Sequence, residues 1–146
     1  MHNWPGKMDR APQEILTSNK LKQTSPRLMV LEHIMGQNVA VSQPELEKTL
    51  GKKVDRVTLY RTLSTFEEKG ILHKIMDTNG IANYAICHAN CSSQQHHDEH
   101  LHFNCVQCKK VYCLAIKIPK TTVPNGFTMN AIQLMASGIC ERCNGL

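Results

Sequence analysis

Two Cys-x-x-Cys pairs constrain the fold of this chain more than any other feature of its 146 residues. The pairs are Cys105/Cys108 and Cys140/Cys143. Four thiolates at this spacing can close a tetrahedron around Zn²⁺ at Zn–S distances of about 2.3 Å, which stabilises structure and leaves no position open for chemistry. The sequence therefore predicts a small lobe with a structural zinc ion, and its length leaves room for a second small domain.

Two histidines stand directly before the first cysteine pair. His100 and His102 are separated by Leu101 and are followed closely by Cys105. In an extended strand, successive side chains point to opposite faces, so the two histidines share one face and Cys105 lies on the other. The sequence therefore predicts a second metal site, separate from the four cysteines.

Composition narrows the class of protein only slightly. The net charge of +5 is compatible with a polyanionic partner but does not by itself establish nucleic-acid binding. Residues 1–6 contain no apolar core of a signal peptide, and no later stretch approaches the roughly 20 apolar residues of a membrane span. These features predict a cytoplasmic protein without a membrane partner. In the reducing cytoplasm, cysteines bind metal more often than they form disulfides.

The first half of the chain predicts helices followed by a hairpin. Helix starts are marked by Thr24-Ser25-Pro26, by a capping box at Ser42–Glu45 and by Asp55, and the third helix ends near Gly70. Two β-prone runs then flank Asn79-Gly80, at 71–76 and 81–86. This order is typical of a winged helix-turn-helix, so we expect an α+β fold.

The third helix carries the candidate DNA-binding residues. In a winged helix-turn-helix the last helix enters the major groove. Leu59, Leu63 and Phe66 form its apolar stripe. The positions left for the exposed face are Arg56, Thr58, Tyr60 and Arg61. A merely solvated face is the alternative interpretation, and periodicity alone does not choose between the two.

Several motifs resemble the ferric uptake regulator family. Thr58-Leu59-Tyr60-Arg61-Thr62-Leu63 with Gly70-Ile71-Leu72 is similar to its recognition-helix signature, and Thr24-x-x-Arg27-Leu28 is similar to the start of its second helix. His100-x-His102-x-x-Cys105-x-x-Cys108 and Gly138-x-Cys140-x-x-Cys143 resemble its dimerisation domain in the same order. The resemblance extends from about Ile15 to Cys143, and several motifs in one order make coincidence a poor explanation.

The resemblance implies a metal-dependent transcriptional repressor rather than an enzyme. Such a protein would bind a pseudo-palindromic operator in double-stranded DNA as a homodimer. The implied organisation is a winged-helix DNA-binding domain at 1–86, a His-rich hinge at 87–99, and a small α/β dimerisation and metal-binding domain at 100–146.

The resemblance also implies a regulatory metal site at the hinge. Its closest match is the zinc uptake regulator type, in which His73 and Cys87 would join His100 and His102. The positions of the iron-type hinge ligands correspond to Ala40 and Ala85, which cannot ligate a metal. One thiolate and three imidazoles suit tetrahedral Zn²⁺, so zinc is the predicted signal. Iron, manganese or peroxide sensing by the same scaffold are the alternatives.

Other candidate ligands are weaker. His88, Cys91 and His96 are assigned to a flexible linker, while His97 and Asp98 are kept as substitute ligands. Cys113 is assigned to a strand at 111–114 without a metal role. Pro119 and Pro124 break the helix that family members have between the cysteine pairs. We therefore expect the family's additional metal site to be absent or rebuilt from the His-rich tract.

Two functions of another class compete with a regulator. His97-Asp98-Glu99 followed by Cys105-x-x-Cys108 is superficially similar to the zinc deaminase signature, but Asn104 replaces its proline and the two elements are nearly adjacent. A zinc-ribbon interaction module is the other alternative, and it leaves the winged-helix pattern unexplained.

Overall fold

The computed structural model describes residues 10–86, 100–117, 119–130 and 132–145. Within these residues, the N-terminal half contains four helices and a small sheet. The helices are α1 (Pro12–Ser18), α2 (Ser25–Met35), α3 (Gln43–Leu50) and α4 (Arg56–Glu68), and the strands are β1 (Val41–Ser42), β2 (Leu72–Met76) and β3 (Ala82–Ile86). The predicted order of helices and hairpin is confirmed. Helix α1 was not predicted from the sequence.

The helix starts follow the predicted caps. Ser42 Oγ accepts a hydrogen bond from the backbone N–H of Glu45 at 3.3 Å, and the Asp55 carboxylate accepts one from the backbone N–H of Thr58 at 3.1 Å. The Thr58 side chain and backbone both donate to Asp55 and lower the pKa of its carboxyl group. These bonds satisfy N–H groups that a helix cannot pair internally.

The hairpin between β2 and β3 forms where Asn79-Gly80 predicted it. Gly80 has a φ of 76°, a conformation that glycine adopts without strain. Asp77 Oδ1 accepts backbone hydrogen bonds from Asn79 at 2.8 Å and from Ile81 at 2.9 Å. Strand β1 adds to the hairpin, giving the antiparallel order β1-β3-β2.

One hydrophobic core joins the helices to this sheet. Its fully buried members from the helices and β2 include Leu16, Leu31, Leu46, Leu59, Leu63, Phe66 and Leu72. The predicted apolar stripe of α4 therefore faces inward, and the opposite side of α4 is left for solvent or a partner. None of the helices in the described part of the chain is both long enough and apolar enough to span a bilayer.

The C-terminal lobe is a second three-stranded sheet. Its strands are β4 (His100–Cys105), β5 (Val111–Lys117) and β6 (Met135–Gly138), in the order β5-β4-β6. Strand β4 is antiparallel to β5 and parallel to β6. Residues 119–130, which include Pro119 and Pro124, contain no helix or strand. The expected α+β class is confirmed, while the domain boundaries remain a prediction because 87–99 lies outside the described residues.

The hairpin of the N-terminal half contacts the C-terminal lobe. Asn104 Nδ2 donates to Thr78 Oγ1 at 3.0 Å, in the turn of the hairpin. The backbone N–H of Ala40 donates to the carbonyl oxygen of Val111 at 2.9 Å. A small buried cluster fills the space between the sheets and consists of Ala40, Ile75, Ala85, Val111 and Cys113. The two halves are therefore joined by hydrogen bonds as well as by apolar packing.

Candidate metal centres and nucleic-acid interface

The four predicted structural ligands come together at one end of the C-terminal sheet. Cys105 ends β4 and Cys108 lies in the following turn, while Cys140 and Cys143 follow β6, which pairs in parallel with β4. The four sulfur atoms lie within 4.8 Å of one another. Cys108 Sγ and Cys140 Sγ are 3.8 Å apart. A tetrahedron with Zn–S bonds of about 2.3 Å has S–S edges of about 3.8 Å, so the thiols fit a zinc ion.

Backbone amides prepare this four-cysteine site for a cation. The backbone N–H groups of Cys108 and Cys140 donate to Cys105 Sγ at 3.5 and 3.4 Å. These bonds, led by that of Cys108, lower the pKa of the Cys105 thiol to about 6. A hydrogen bond from Tyr112 lowers the pKa of Cys140. The thiolate is the form that binds metal, so Cys105 and Cys140 favour the state that zinc requires, whereas burial raises the pKa of the Cys143 thiol.

A second cluster of ligands lies between the two halves. His73 comes from β2, His100 and His102 from β4, and Cys113 from β5, where it is paired with His102. One ligand atom from each residue lies within 4.8 Å of the others. Cys113 Sγ and His73 Nε2 are 3.6 Å apart. A tetrahedral Zn²⁺ with an imidazole at about 2.1 Å and a thiolate at about 2.3 Å has an N–S edge of about 3.6 Å.

All four side chains of this cluster are buried. Their exposed fractions are 5% for His73, 7% for His100, 1% for His102 and 4% for Cys113. The centres of the His100 and His102 rings are 4.8 Å apart, and the His73 ring lies 5.6 and 5.7 Å from them. Neutral imidazole and thiolate are common zinc ligands, so these residues fit a metal that joins β2 to the C-terminal lobe.

Three of the four predicted regulatory ligands are therefore neighbours. His73, His100 and His102 meet as expected, whereas Cys87 lies outside the described residues and its role remains a prediction. The same holds for the substitute ligands His97 and Asp98.

Cys113 was not among the predicted ligands but is a candidate ligand in the structure, and its assignment to a strand is confirmed. A signal was available. If the chain turns back after Cys105, antiparallel pairing places Cys113 beside His102 and on the same face of the sheet. The spacing of cysteines along the chain does not reveal this cross-strand register.

The candidate DNA-binding residues differ in their surroundings. Arg56 and Arg61 are exposed, while Thr58 and Tyr60 are partly buried. Thr58 donates its hydroxyl and its backbone N–H to Asp55, the residue that caps α4, so the Thr58 side chain is engaged in the cap. Of the predicted set, the two arginines and the accessible part of Tyr60 are therefore the groups that a partner could reach.

Comparison with known proteins decides the family. The profile of the Ferric uptake regulator family matches residues 18–136, which is most of the chain. This chain belongs to the ferric uptake regulator family. The resemblance drawn from the motifs is thus confirmed.

Curated members of the ferric uptake regulator family align over different lengths. The ferric uptake regulation protein of Escherichia coli K12 is 35% identical over 95 residues, which cover 62% of this chain and 59% of that protein. The chain thus spans about three fifths of the length of such relatives. The protein of the same name from Bordetella parapertussis is 26% identical over 140 residues, covering 90% of this chain and 95% of that protein.

Solved structures of zinc, manganese and ferric uptake regulators share the fold of this ferric uptake regulator family member. A zinc uptake regulator complexed with zinc and DNA superposes with a TM-score of 0.65 at 22% identity, covering 91% of this chain and 90% of that chain. A zinc-bound manganese uptake regulator gives 0.62 at 17% identity, covering 90% and 99%. The Vibrio cholerae ferric uptake regulator gives 0.59 at 22% identity, covering 88% and 98%.

Proposed function

We propose that this protein is a zinc-responsive transcriptional repressor that binds a pseudo-palindromic operator in double-stranded DNA as a homodimer. The observation that carries the proposal is the buried cluster of three imidazoles and one thiol between β2 and the C-terminal lobe. The relative solved with zinc and DNA supports the same assignment through its shared fold. Operator DNA as the partner also implies action in the cytoplasm.

The donor atoms of the cluster favour zinc over manganese, and the residues at the hinge positions disfavour an iron-type site. All of its ligand atoms are nitrogen or sulfur, whereas Mn²⁺ and Mg²⁺ sites are typically rich in oxygen. Ala40 and Ala85, at the iron-type hinge positions, are buried in the apolar cluster beside Cys113. They offer no ligand atom. Iron, manganese and peroxide responses are therefore the weaker alternatives.

The residues of the cluster lie where zinc binding can change the orientation of α4. Strand β2, which carries His73, follows α4 after a short turn at Gly70. Strand β4 carries His100 and His102, and two residues further its Asn104 contacts the tip of the hairpin. When bound, zinc would supply bonds that join these two strands. Closing the cluster thus favours one orientation of α4 relative to the lobe.

In a homodimer, the orientation of α4 determines the affinity for the operator. Two α4 helices related by a two-fold axis must reach half-sites about 34 Å apart. An arrangement that holds them at this spacing binds the operator, and other arrangements do not. By linkage, a ligand shifts the population only by its differential affinity for the two arrangements. The cluster supplies that difference because it needs residues from both halves.

The competing functions fit the chain less well. A zinc deaminase needs an open coordination position, whereas Cys105 and Cys108 lie in a cluster with two further cysteines that can complete a closed zinc site. A zinc-ribbon interaction module would require neither α4 nor the His73 cluster. Membership of a regulator family disfavours both alternatives.

The direct test is DNA binding under metal titration. A duplex selected by the wild-type protein from a library randomised over about 25 base pairs provides the operator probe. Protein with its four-cysteine site filled is titrated with Zn²⁺, Fe²⁺ or Mn²⁺, and binding is followed by fluorescence anisotropy. We expect Zn²⁺ to switch on binding at the lowest free concentration. Binding driven by Fe²⁺ or Mn²⁺ but not by Zn²⁺ would contradict zinc sensing.

Asn104 provides a prediction about coupling between the two halves. Asn104→Ala removes its hydrogen bond to Thr78 without touching a ligand of either metal centre. One such bond is worth about 1 kcal/mol, so the zinc concentration for half-maximal operator binding should rise about fivefold. The measurement is the zinc titration described above.

A double-mutant cycle separates the loss of the Asn104–Thr78 hydrogen bond from a nonspecific destabilisation of the contact between the two halves. Thr78→Val removes the other partner, and the double variant should be no worse than either single variant if the bond carries the effect. Fully additive losses would contradict a specific role for the Asn104–Thr78 bond.

A further inference from the structure

A carboxylate on α3 organises the side chains of α4. Glu47 Oε1 accepts a hydrogen bond from the Tyr60 hydroxyl at 2.6 Å and lies 3.7 Å from Arg56 Nε. Arg56 Nη2 donates to the Tyr60 hydroxyl at 3.4 Å, and its Cζ lies 5.5 Å from the centre of the Tyr60 ring. The three side chains therefore contact one another in a closed triangle across two helices.

The position of the Glu47 carboxylate is unfavourable for sequence-independent binding to DNA. The sequence-independent part of DNA binding comes from lysine and arginine contacts to phosphate. The Arg56 side chain is 75% exposed, and Glu47 beside it is 36% exposed, so Glu47 offsets the charge of Arg56 where phosphates would approach. A carboxylate placed there lowers affinity for any duplex that offers only its backbone.

The same carboxylate fixes the orientation of two side chains that face DNA in the proposed function. Tyr60 is held by its hydroxyl, and Arg56 is held against the ring and beside the carboxylate. Phosphate contacts position a protein, whereas base contacts specify the sequence. Side chains held in one orientation can match one arrangement of base edges and cannot adapt equally to all others.

We propose that Glu47 is a specificity-determining residue, which acts by positioning Arg56 and Tyr60 and by penalising DNA that offers phosphate contacts alone. This inference rests on the proposed function, because it requires α4 to be the DNA-reading helix. Specificity is the difference between the affinity for the operator and the affinity for other DNA. A residue that weakens binding to other DNA therefore raises specificity as effectively as a new contact to the operator.

The test is Glu47→Gln, which keeps the size and an acceptor oxygen and removes the charge. We expect its affinity for a random-sequence duplex to rise about fivefold and its salt dependence to steepen by about one phosphate contact. Affinity for the selected duplex should change less, so the specificity ratio should fall. Glu68→Gln, which makes the same charge change at an exposed position at the end of α4, is the matched control.

Glu47→Ala completes the set because it removes the acceptor as well. It should also weaken binding to the selected duplex, since Tyr60 is no longer held. Thermal melting verifies that each variant is folded. If Glu47→Gln and Glu68→Gln have the same specificity ratio and salt slope, the role of Glu47 is overturned while zinc-dependent binding by the wild type still stands. If the wild type shows no zinc-dependent binding, both proposals fall.

Discussion

Cys113→Ser is expected to raise the zinc concentration needed for operator binding by about 100-fold or more. Cys113 Sγ lies 3.6 Å from His73 Nε2, within a cluster that supplies four ligands. A serine hydroxyl is a poor zinc ligand, and loss of a direct ligand should cost at least as much as the roughly 10- to 100-fold typical of its outer-shell partners. The measurement is anisotropy of the selected duplex under a buffered zinc titration.

Cys87→Ser is the matched control, and it tests two assignments of the single thiolate. The family resemblance implies Cys87 as a ligand, whereas the geometry of the described residues brings Cys113 to the three histidines. We expect Cys87→Ser to keep most of the zinc response and Cys113→Ser to lose it. The opposite pattern would contradict the assignment of Cys113.

Spectroscopy can check the ligand directly. Co²⁺ prefers similar donors to zinc, and its bond to a thiolate gives a ligand-to-metal absorption band. With the four-cysteine site kept filled by zinc, Co²⁺ added to the second site should give this band in the wild type and lose it in Cys113→Ser. A band that survives in Cys113→Ser and disappears in Cys87→Ser would reassign the thiolate to Cys87.

Local signals predicted most of the fold. Caps at Ser42 and Asp55, the turn at Gly80 and the stripe on α4 each depend on residues that are close in sequence, and the structure contains all four. Helix α1 was missed because its seven residues are too few for periodicity to reveal. Sequence therefore specifies elements well where the physics that forms them is local.

The candidate sites were less predictable because they depend on pairing between distant elements. Cys113 lies 40 residues from His73, and their contact requires both the β4–β5 register and the docking of β2 on the lobe. Glu47 meets Tyr60 only through the packing of α3 on α4. Strand pairing after Cys105 could have suggested the β4–β5 register, but no composition or spacing rule reports the docking of β2 on the lobe or of α3 on α4. The Cys-x-x-Cys pairs, in contrast, already place each pair of ligands together.

The two metal centres are linked through one strand. Strand β4 presents His100 and His102 to the regulatory cluster and ends at Cys105 in the four-cysteine site. The turn between Cys105 and Cys108 returns the chain into β5, which brings Cys113 opposite His102. A structural zinc in the four-cysteine site would fix this turn, and with it the register on which the proposed regulatory cluster depends.

Cys105→Ser is accordingly expected to abolish zinc binding at the four-cysteine site and dimerisation through the C-terminal lobe. A structural zinc ion contributes about 10–16 kcal/mol of apparent binding free energy in small zinc-binding peptides, and most of it is folding free energy. We expect the variant to lose its tightly bound zinc, to become monomeric and to fail to bind the selected duplex at any zinc concentration. Elemental analysis, light scattering and anisotropy measure these three results.

Hydrogen exchange distinguishes loss of the lobe from unfolding of the whole chain. Helix α4 packs into the N-terminal core through buried residues such as Phe66, so its amides should stay protected in Cys105→Ser while those of β4 to β6 exchange rapidly. Cys113→Ser should instead keep its structural zinc and the protection of β4 to β6, because its four-cysteine site is intact. A folded, dimeric Cys105→Ser protein would show that the four cysteines do not stabilise the lobe, and the register of Cys113 would then need another cause.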